Sequence, residues 1–197
     1  AILSVTKPGD QVIILAPYYF NHIMAVQLAG CKPVIVDTDS DYQPTVKRIG
    51  EKVSRSTRAI VLVSPNNPTG AVYDKNQTKE IEVLCREKDL YLITDDTYEH
   101  FVYDDARYTS ALEFDKRIDH TVLLYSFSKS YGMSGYRIGY AVFPEHLYAD
   151  MLKVQDTLTI CPPSPLQYGA EAAIALGAAY LKKFMPSIEK VRRVFIE

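Results

Sequence analysis

The sequence predicts an α/β fold, with a mostly parallel sheet and helices on both faces. Four short runs, QVIILA, AIVLVS, YLITD and VLLY, are apolar throughout rather than at every second residue, which is typical of strands buried on both faces. Segments with helical spacing separate these runs, and such alternation favours parallel strands. In a parallel sheet the ligand crevice lies outside the carboxyl ends of the strands. Polar residues that follow the strands are therefore the first candidates for function.

Each strand is predicted from a short run rich in β-branched residues that ends at a turn signal. Pro17 ends QVIILA, PNNPTG follows AIVLVS, and the acidic pair Asp95–Asp96 ends YLITD. A last strand is expected to be antiparallel, because its link to Tyr125 is too short for a helical crossover. The predicted strands are residues 11–16, 33–37, 59–64, 91–95, 122–125 and 138–143.

Each helix is predicted from apolar spacing near the helical period and from signals at its ends. Gly30 suits the C-terminal cap of the first helix. Ser164 suits the N-cap of the last helix and Pro165 its first turn. This last helix is expected to be interrupted near Gly177 or Pro186. The predicted helices are residues 22–29, 45–53, 75–88, 145–158 and 165–197.

Composition and charge limit the possible functions. The chain has 197 residues, 47% hydrophobic and 23% charged, which favours one globular domain. A net charge of −2 offers no electrostatic reason to expect nucleic acid or an anionic membrane as a partner. No run approaches the ~18 apolar residues that cross a bilayer. The cysteines, which lack CxxC spacing, suggest neither a disulfide framework nor a zinc site and fit a reducing, cytoplasmic setting. The histidines are interpreted as surface or loop residues rather than metal ligands.

The stretch TVLLYSFSKSYGMSGYRIGY, residues 121–140, carries the strongest chemical signal. Its strand ends in hydroxyls and one lysine, Lys129, and Arg137 follows among glycines. Most lysines are solvated surface charges, but a lysine at the end of a buried strand loses solvent. That loss favours the neutral amine that a Schiff base with a carbonyl compound requires. The polar residues at this and the other strand ends, expected to converge, are Tyr18, Tyr19, Asn66, Asn67, Asp95, Tyr98, Ser126, Ser128 and Lys129.

The motifs NNPTG, DDTYEHFVY and SFSKSYGMSGYRIGY, in this order and spacing, resemble those of the class I and II aminotransferases. These are pyridoxal-phosphate enzymes of fold-type I, in the superfamily of aspartate aminotransferase. The resemblance covers nearly the whole chain. It implies that residues 1–179 are the large, cofactor-binding domain, incomplete at its N-terminus, and that residues 180–197 start the helix leading into a small domain. It also implies that residues 1–197 alone are inactive and that the full-length protein is a homodimer.

The resemblance implies three catalytic residues for transfer of an amino group between an L-amino acid and a 2-oxo acid. Lys129 would form the Schiff base with pyridoxal 5'-phosphate and later move the proton. Asp95 would keep the ring nitrogen protonated, since a nearby carboxylate favours the charged form. The alternative for Asp95 is a helix cap or turn residue. Tyr98 would donate to the phenolic oxygen of the ring.

The remaining cofactor-binding residues are also implied by the resemblance. Asn67 would share the phenolic oxygen and touch the substrate carboxylate, with a cis peptide bond before Pro68, while Asn66 is the expected turn residue. Ser126 and Arg137 would bind the phosphate, although Ser126 could also be a hydrogen-bonded strand-end hydroxyl. Tyr19 would stack on the ring, where many members of the family carry tryptophan or phenylalanine. Ser128 is left without a role.

Two alternatives remain open at this point. A β-lyase or decarboxylase would use the same cofactor and the same first covalent step. A ligand-sensing domain of a transcription regulator could bind the cofactor without turnover. The residues do not indicate which amino acid and oxo acid are the substrates, and no residue is assigned to the arginine that pairs with the substrate carboxylate in the family.

Overall fold

A computed structural model describes residues 1–114 and 118–196. Within this part of the chain, six strands form one sheet in the order β2-β1-β3-β4-β5-β6. The strands are β1 Gln11–Ala16, β2 Lys32–Asp37, β3 Thr57–Val63, β4 Tyr91–Asp95, β5 Thr121–Ser126 and β6 Gly139–Val142. The first five are mutually parallel, and β6 pairs antiparallel with β5. The mostly parallel sheet and the antiparallel last strand confirm the predictions.

Helices cover both faces of the sheet, which confirms the α/β class. They are α1 Ile2–Val5, α2 Phe20–Leu28, α3 Val46–Lys52, α4 Lys75–Glu87, α5 Phe127–Ser130, α6 Tyr148–Leu158 and α7 Ser164–Ile196. On one face, Ile49 of α3 and Ile81 of α4 are fully buried against the sheet. On the other face, α1, α2 and α6 pack on it, with Val26 of α2 fully buried. Strands that face helices on both sides must be apolar throughout, as their sequences are.

The predicted strands agree with the structure, since β1 and β4 have the predicted bounds and the other four lie within two residues of theirs. The helices of the first half are confirmed as well. Gly30 follows α2 with a left-handed backbone (φ 71°), as a C-terminal cap requires. The N-terminal end of α4 is capped by Asp74, whose carboxylate accepts hydrogen bonds from the N–H groups of Asn76 and Gln77.

The last helix, α7, contains the expected interruption at Gly177, whose backbone is not helical (φ 52°, ψ −146°). Pro186 lies inside its second half. The helix begins at Ser164, so this serine is the first helical residue and not the residue that precedes the helix. The predicted domain division at residue 179 lies close to the interruption and stays a prediction. Glu197 lies outside the described residues.

Two short helices, α1 and α5, were not predicted. Each spans four residues, which is too short for a helical period to be read from the sequence. Of the two, α5 matters for function, because it contains Lys129. In residues 1–114 and 118–196, no helix is long and apolar enough to cross a membrane.

Candidate active site

The carboxyl ends of β3, β4 and β5 and the start of α2 border a cavity of about 290 Å³. Its wall includes all seven residues predicted to bind the cofactor, drawn from four separate stretches of the chain. These residues are Tyr19, Asn67, Asp95, Tyr98, Ser126, Lys129 and Arg137. Ser128, to which no role was assigned, also lines the cavity. Of the nine strand-end residues expected to converge, seven line this cavity and Tyr18 and Asn66 do not, while the individual roles of these residues stay predictions.

Lys129 lies on α5, the single helical turn that follows β5. Ser126 caps this turn, since its hydroxyl oxygen accepts a hydrogen bond of 3.1 Å from the backbone N–H of Ser128. Phe127 and Ser130 are buried beneath the turn, whereas Ser128 and Lys129 line the cavity. The lysine nitrogen lies 5.8 Å from the ring centroid of Tyr98, within range of a cation–π contact. The amine and the phenol predicted to act together are thus neighbours, but Lys129 is exposed, so the loss of solvent expected from its place after a buried strand is not present.

Asp95 is the last residue of β4, and its side chain is only 17% exposed. One carboxylate oxygen lies 2.9 Å from Nε2 of His22, and the other accepts a bond of 3.1 Å from the backbone N–H of Thr97. Burial raises the pKa of Asp95, but the bonds from His22 and Thr97 outweigh it, so the net pKa lies below its ordinary value. The cavity therefore contains an ionised carboxylate at neutral pH.

His22 corrects the sequence interpretation, in which all four histidines were surface or loop residues. It lies in the first turn of α2, its side chain is 15% exposed, and its partner is Asp95. The two residues are 73 positions apart, so no local pattern links them. The one available signal is that His22 follows Tyr19 by three positions, which places both at the start of the same helix.

Tyr19 occupies the position just before α2, with its ring in the wall of the cavity. The ring meets His22 edge-on, with centroids 5.5 Å apart and an angle of 86° between the planes. Its hydroxyl accepts a bond of 2.7 Å from the side-chain amide of Asn21. Contacts with its ring and its hydroxyl restrain Tyr19, whose stacking role stays a prediction.

The two asparagines of NNPTG differ in role. Asn66 is buried, and its amide oxygen accepts hydrogen bonds from the backbone N–H and the hydroxyl of Thr69, at 3.2 Å and 2.9 Å. It is the turn residue, as expected. Asn67 lines the cavity, and the peptide bond that joins it to Pro68 is cis, as the resemblance implied.

Arg137 reaches the cavity from a segment with an unusual backbone. The residue is left-handed (φ 53°, ψ 46°), and its Nη1 donates a hydrogen bond of 2.9 Å to the carbonyl of Ser134. A guanidinium has five N–H donors, so this bond leaves donors for an anion. The segment is held against β5 at Gly139, where a Cβ atom would lie only 2.5 Å from the carbonyl oxygen of Tyr125. Only glycine permits this approach.

The family follows from a comparison of sequences. A family model described as "Aminotransferase class I and II" matches residues 1–197. The chain belongs to this family. Aspartate aminotransferase of Pyrococcus abyssi is 36% identical over 170 residues, covering 85% of this chain and 44% of the relative. A bifunctional aspartate aminotransferase and glutamate/aspartate-prephenate aminotransferase of Petunia hybrida is 37% identical over 182 residues, covering 91% of this chain and 38% of the relative.

Solved structures of aminotransferases have the same fold as this chain. The aromatic aminotransferase of Pyrococcus horikoshii superimposes with a TM-score of 0.90 and 34% identity, over 98% of this chain and 52% of the other. A mutant aspartate aminotransferase of Thermus thermophilus gives a TM-score of 0.92 and 31% identity, over 98% and 51%. This chain therefore spans about half the length of the proteins it matches, and these matches confirm the fold-type I architecture.

Proposed function

We propose that Lys129 binds pyridoxal 5'-phosphate as a Schiff base and that the protein transfers an amino group between an L-amino acid and a 2-oxo acid. The observation that carries the proposal is the cavity itself. An amine, a carboxylate, a phenol, an amide, a hydroxyl and a guanidinium, remote along the chain, line one space of about 290 Å³. That volume is close to the lower limit of small-molecule pockets, roughly 300 Å³.

The donor set fits the chemical groups of this cofactor. The amine of Lys129 matches the aldehyde, and the ionised carboxylate of Asp95 matches a protonated ring nitrogen. The guanidinium of Arg137 and the hydroxyl of Ser126 match the phosphate, because a guanidinium binds phosphate oxygens in pairs. The Ser126 oxygen accepts a bond from Ser128, so its own proton is available for donation.

When bound, the cofactor supplies an electron sink for the charge left when a proton leaves the α-carbon of the substrate. Lys129 would be the base that removes this proton from the α-carbon and returns it to a carbon atom of the cofactor. Asp95 remains ionised because of its bonds to His22 and Thr97, so it can hold a positive charge opposite it. Tyr98, whose ring centroid lies 5.8 Å from the lysine nitrogen, would donate its hydroxyl to the phenolic oxygen of the cofactor. Asn67 would bind that oxygen and the substrate carboxylate, and Tyr19 would cover one face of the cofactor ring.

The covalent step is tested by reduction. The chain is incubated with pyridoxal 5'-phosphate, treated with borohydride and digested, and the pyridoxyl group is located by mass spectrometry. We expect the group on Lys129, and none there in Lys129→Ala. Lys153→Ala, which changes an exposed lysine of α6, is the matched control and should label as the wild type does. If the label is spread over surface lysines, and if Lys129→Ala is labelled as much as the wild type, Lys129 is removed from the proposal.

The reaction type is tested by its products in the longer protein that contains this chain. Several amino acids are supplied with a 2-oxo acid, and oxo acid, ammonia and carbon dioxide are measured. Stoichiometric exchange of amino acid for oxo acid supports transamination. Ammonia or carbon dioxide release would favour the lyase or decarboxylase, and cofactor binding without turnover would favour the sensor domain. Residues 1–197 alone are expected to bind the cofactor without turnover, so measurable transamination by them would refute that expectation.

We also propose that the longer protein is a homodimer, which the resemblance to the family supports. Sedimentation equilibrium measures its mass directly. A mass equal to twice that of one chain is the expected result, and a monomer that transaminates would contradict the proposal.

A further inference from the structure

A second cavity, of about 550 Å³, opens beside the candidate site and shares Asn67 and Tyr98 with it. Its wall also includes Asp104, from the loop after Tyr98, and Arg192, from the second half of α7. Residues 99–106 of this loop contain neither helix nor strand. The position of Tyr98 therefore depends partly on contacts made by the loop that follows it.

One guanidinium contacts two successive residues of that loop. Nη2 of Arg192 lies 2.8 Å from one carboxylate oxygen of Asp104, and Nη1 lies 3.5 Å from the other. The guanidinium carbon also lies 4.8 Å from the ring centroid of Tyr103. We call Arg192, Asp104 and Tyr103 the clasp. It joins α7 to the loop by charge and by cation–π contact together.

Inside the loop, one backbone bond supports the clasp at Tyr103 and other contacts join Phe101 to Tyr98, with a single residue between Phe101 and Tyr103. The backbone N–H of Ala106 donates to the carbonyl of Tyr103 at 3.3 Å, and that of Phe101 donates to the carbonyl of Tyr98 at 2.8 Å. The rings of Phe101 and Tyr98 meet edge-on, with centroids 6.1 Å apart. A displacement of the loop at Asp104 would thus be felt at Tyr98, whose ring lies 5.8 Å from the lysine nitrogen.

The backbone conformation of Asp104 suits its contact with Arg192. Its φ of 57° lies in the left-handed region, which non-glycine residues other than aspartate and asparagine rarely adopt. The turn aims the carboxylate at α7, where it meets both guanidinium nitrogens. Arg192 is the less exposed partner, at 33% against 69% for Asp104, because its planar group also packs on Tyr103. A lysine would keep the charge but lose the paired bonds and the stacking.

We propose that Arg192 is a positioning residue: through the clasp it holds residues 99–106 and so orients Tyr98 toward Lys129. All three residues of the clasp belong to this chain, so it forms without a partner subunit or a cofactor. Its consequence for the cofactor rests on the proposed function. The second half of α7 therefore sets the geometry of the site without touching the reacting atoms.

The first test measures hydrogen–deuterium exchange of the amides in residues 98–106. Arg192→Ala should speed exchange there by about three- to tenfold, the combined effect of losing an exposed ion pair and a cation–π contact, and leave β1 to β4 unchanged. Arg193→Ala is the matched control, because the neighbouring Arg193 pairs only with Glu189 of its own helix, at 2.8 Å, among the contacts in residues 1–114 and 118–196. It should leave the loop amides unchanged.

Two conservative variants separate the components of the clasp. Arg192→Lys should give an exchange rate between those of the wild type and Arg192→Ala, because the positive charge remains. Asp104→Asn keeps the left-handed backbone and removes the charge, so it should also give an intermediate rate. Loop exchange that is unaffected by Arg192→Ala, or that rises equally in Arg193→Ala, would overturn the clasp.

The second test measures binding of pyridoxal 5'-phosphate by its absorbance. Arg192→Ala should weaken binding about two- to fivefold, and Tyr98→Phe in the same background should add no further loss, because Tyr98 is already misplaced. Fully additive losses would overturn the link to Tyr98. If wild type binds no cofactor, the proposed function fails, whereas the exchange result still decides the clasp.

Discussion

The Nε2 atom of His22 lies 2.9 Å from Oδ2 of Asp95, across 73 positions of sequence. The other ring nitrogen, Nδ1, is buried and has no hydrogen-bond partner in residues 1–114 and 118–196. Nε2 is thus the ring nitrogen that contacts Asp95. Although burial raises the pKa of Asp95, the contact with His22 lowers it and helps to keep this carboxyl ionised.

Replacing His22 with phenylalanine keeps a ring of similar size and removes this hydrogen bond. We expect the affinity for pyridoxal 5'-phosphate to fall about tenfold, the usual effect of losing a bond to a charged group. The pKa of Asp95 should rise, so this carboxyl is protonated at a higher pH. When the solution is acidified, cofactor binding should therefore weaken at a higher pH in the variant than in the wild type. Spectroscopic titration between pH 4 and 8 measures both effects, and His146→Phe, outside the cavity, is the control. Unchanged binding in His22→Phe would contradict this role.

Arg137 is predicted to recognise the phosphate and not the ring. Arg137→Gln should therefore lower the affinity for pyridoxal 5'-phosphate by about tenfold or more, since a charge-assisted pair of bonds is lost. Its affinity for pyridoxal, which lacks the phosphate, should stay within about twofold of wild type. Parallel titrations with the two aldehydes give the ratio. An equal loss for both would mean that Arg137 acts on the ring or on folding.

The pKa of Asp96 is raised, whereas that of its neighbour Asp95 is lowered. Asp96 is buried, accepts a hydrogen bond of 2.8 Å from Thr94, and burial raises its pKa to about 7. Because the folded state binds this proton more tightly than the unfolded state, Asp96 lowers stability progressively as pH rises from about 4 to about 7. Asp96→Asn should reduce this fall in the free energy of unfolding by at least about 1.4 kcal/mol, the value of one pKa unit. Urea titrations at pH 4.5 and 7.5 measure it, and an equal fall in both proteins would contradict the assignment.

Gly139 is predicted to be irreplaceable, because a Cβ atom there would lie 2.5 Å from the carbonyl oxygen of Tyr125. Gly139→Ala should cost about 1 to 3 kcal/mol in the free energy of unfolding, as overpacking does, and weaken cofactor binding by displacing the Arg137 segment. Gly135→Ala has open space at its Cβ and is the matched control. Urea unfolding compares the two. Equal stabilities would show that β6 can shift without cost.

Local chemistry accounts for what could be predicted. Strands such as β1 and β4 were located to the residue, because runs of β-branched apolar residues are a property of neighbouring positions. The residues that line the cavity were found because they follow those strands and because their motifs resemble a family. The turn α5 was missed, since four residues contain no measurable period and only the cap at Ser126 and the packing of Phe127 define it.

By itself, then, the sequence determined the α/β class and the order of the elements, which depend on short-range patterns, and its motifs pointed to the residues that line the cavity. The tertiary structure alone decided that His22 pairs with Asp95, and that Arg192 reaches Asp104 across 88 positions. It also decided that the pKa of Asp95 is lowered while burial raises the pKa of Asp96 to about 7. The reason is physical: a side chain's partners and its access to water depend on which elements pack around it, and that packing joins residues that no local pattern connects.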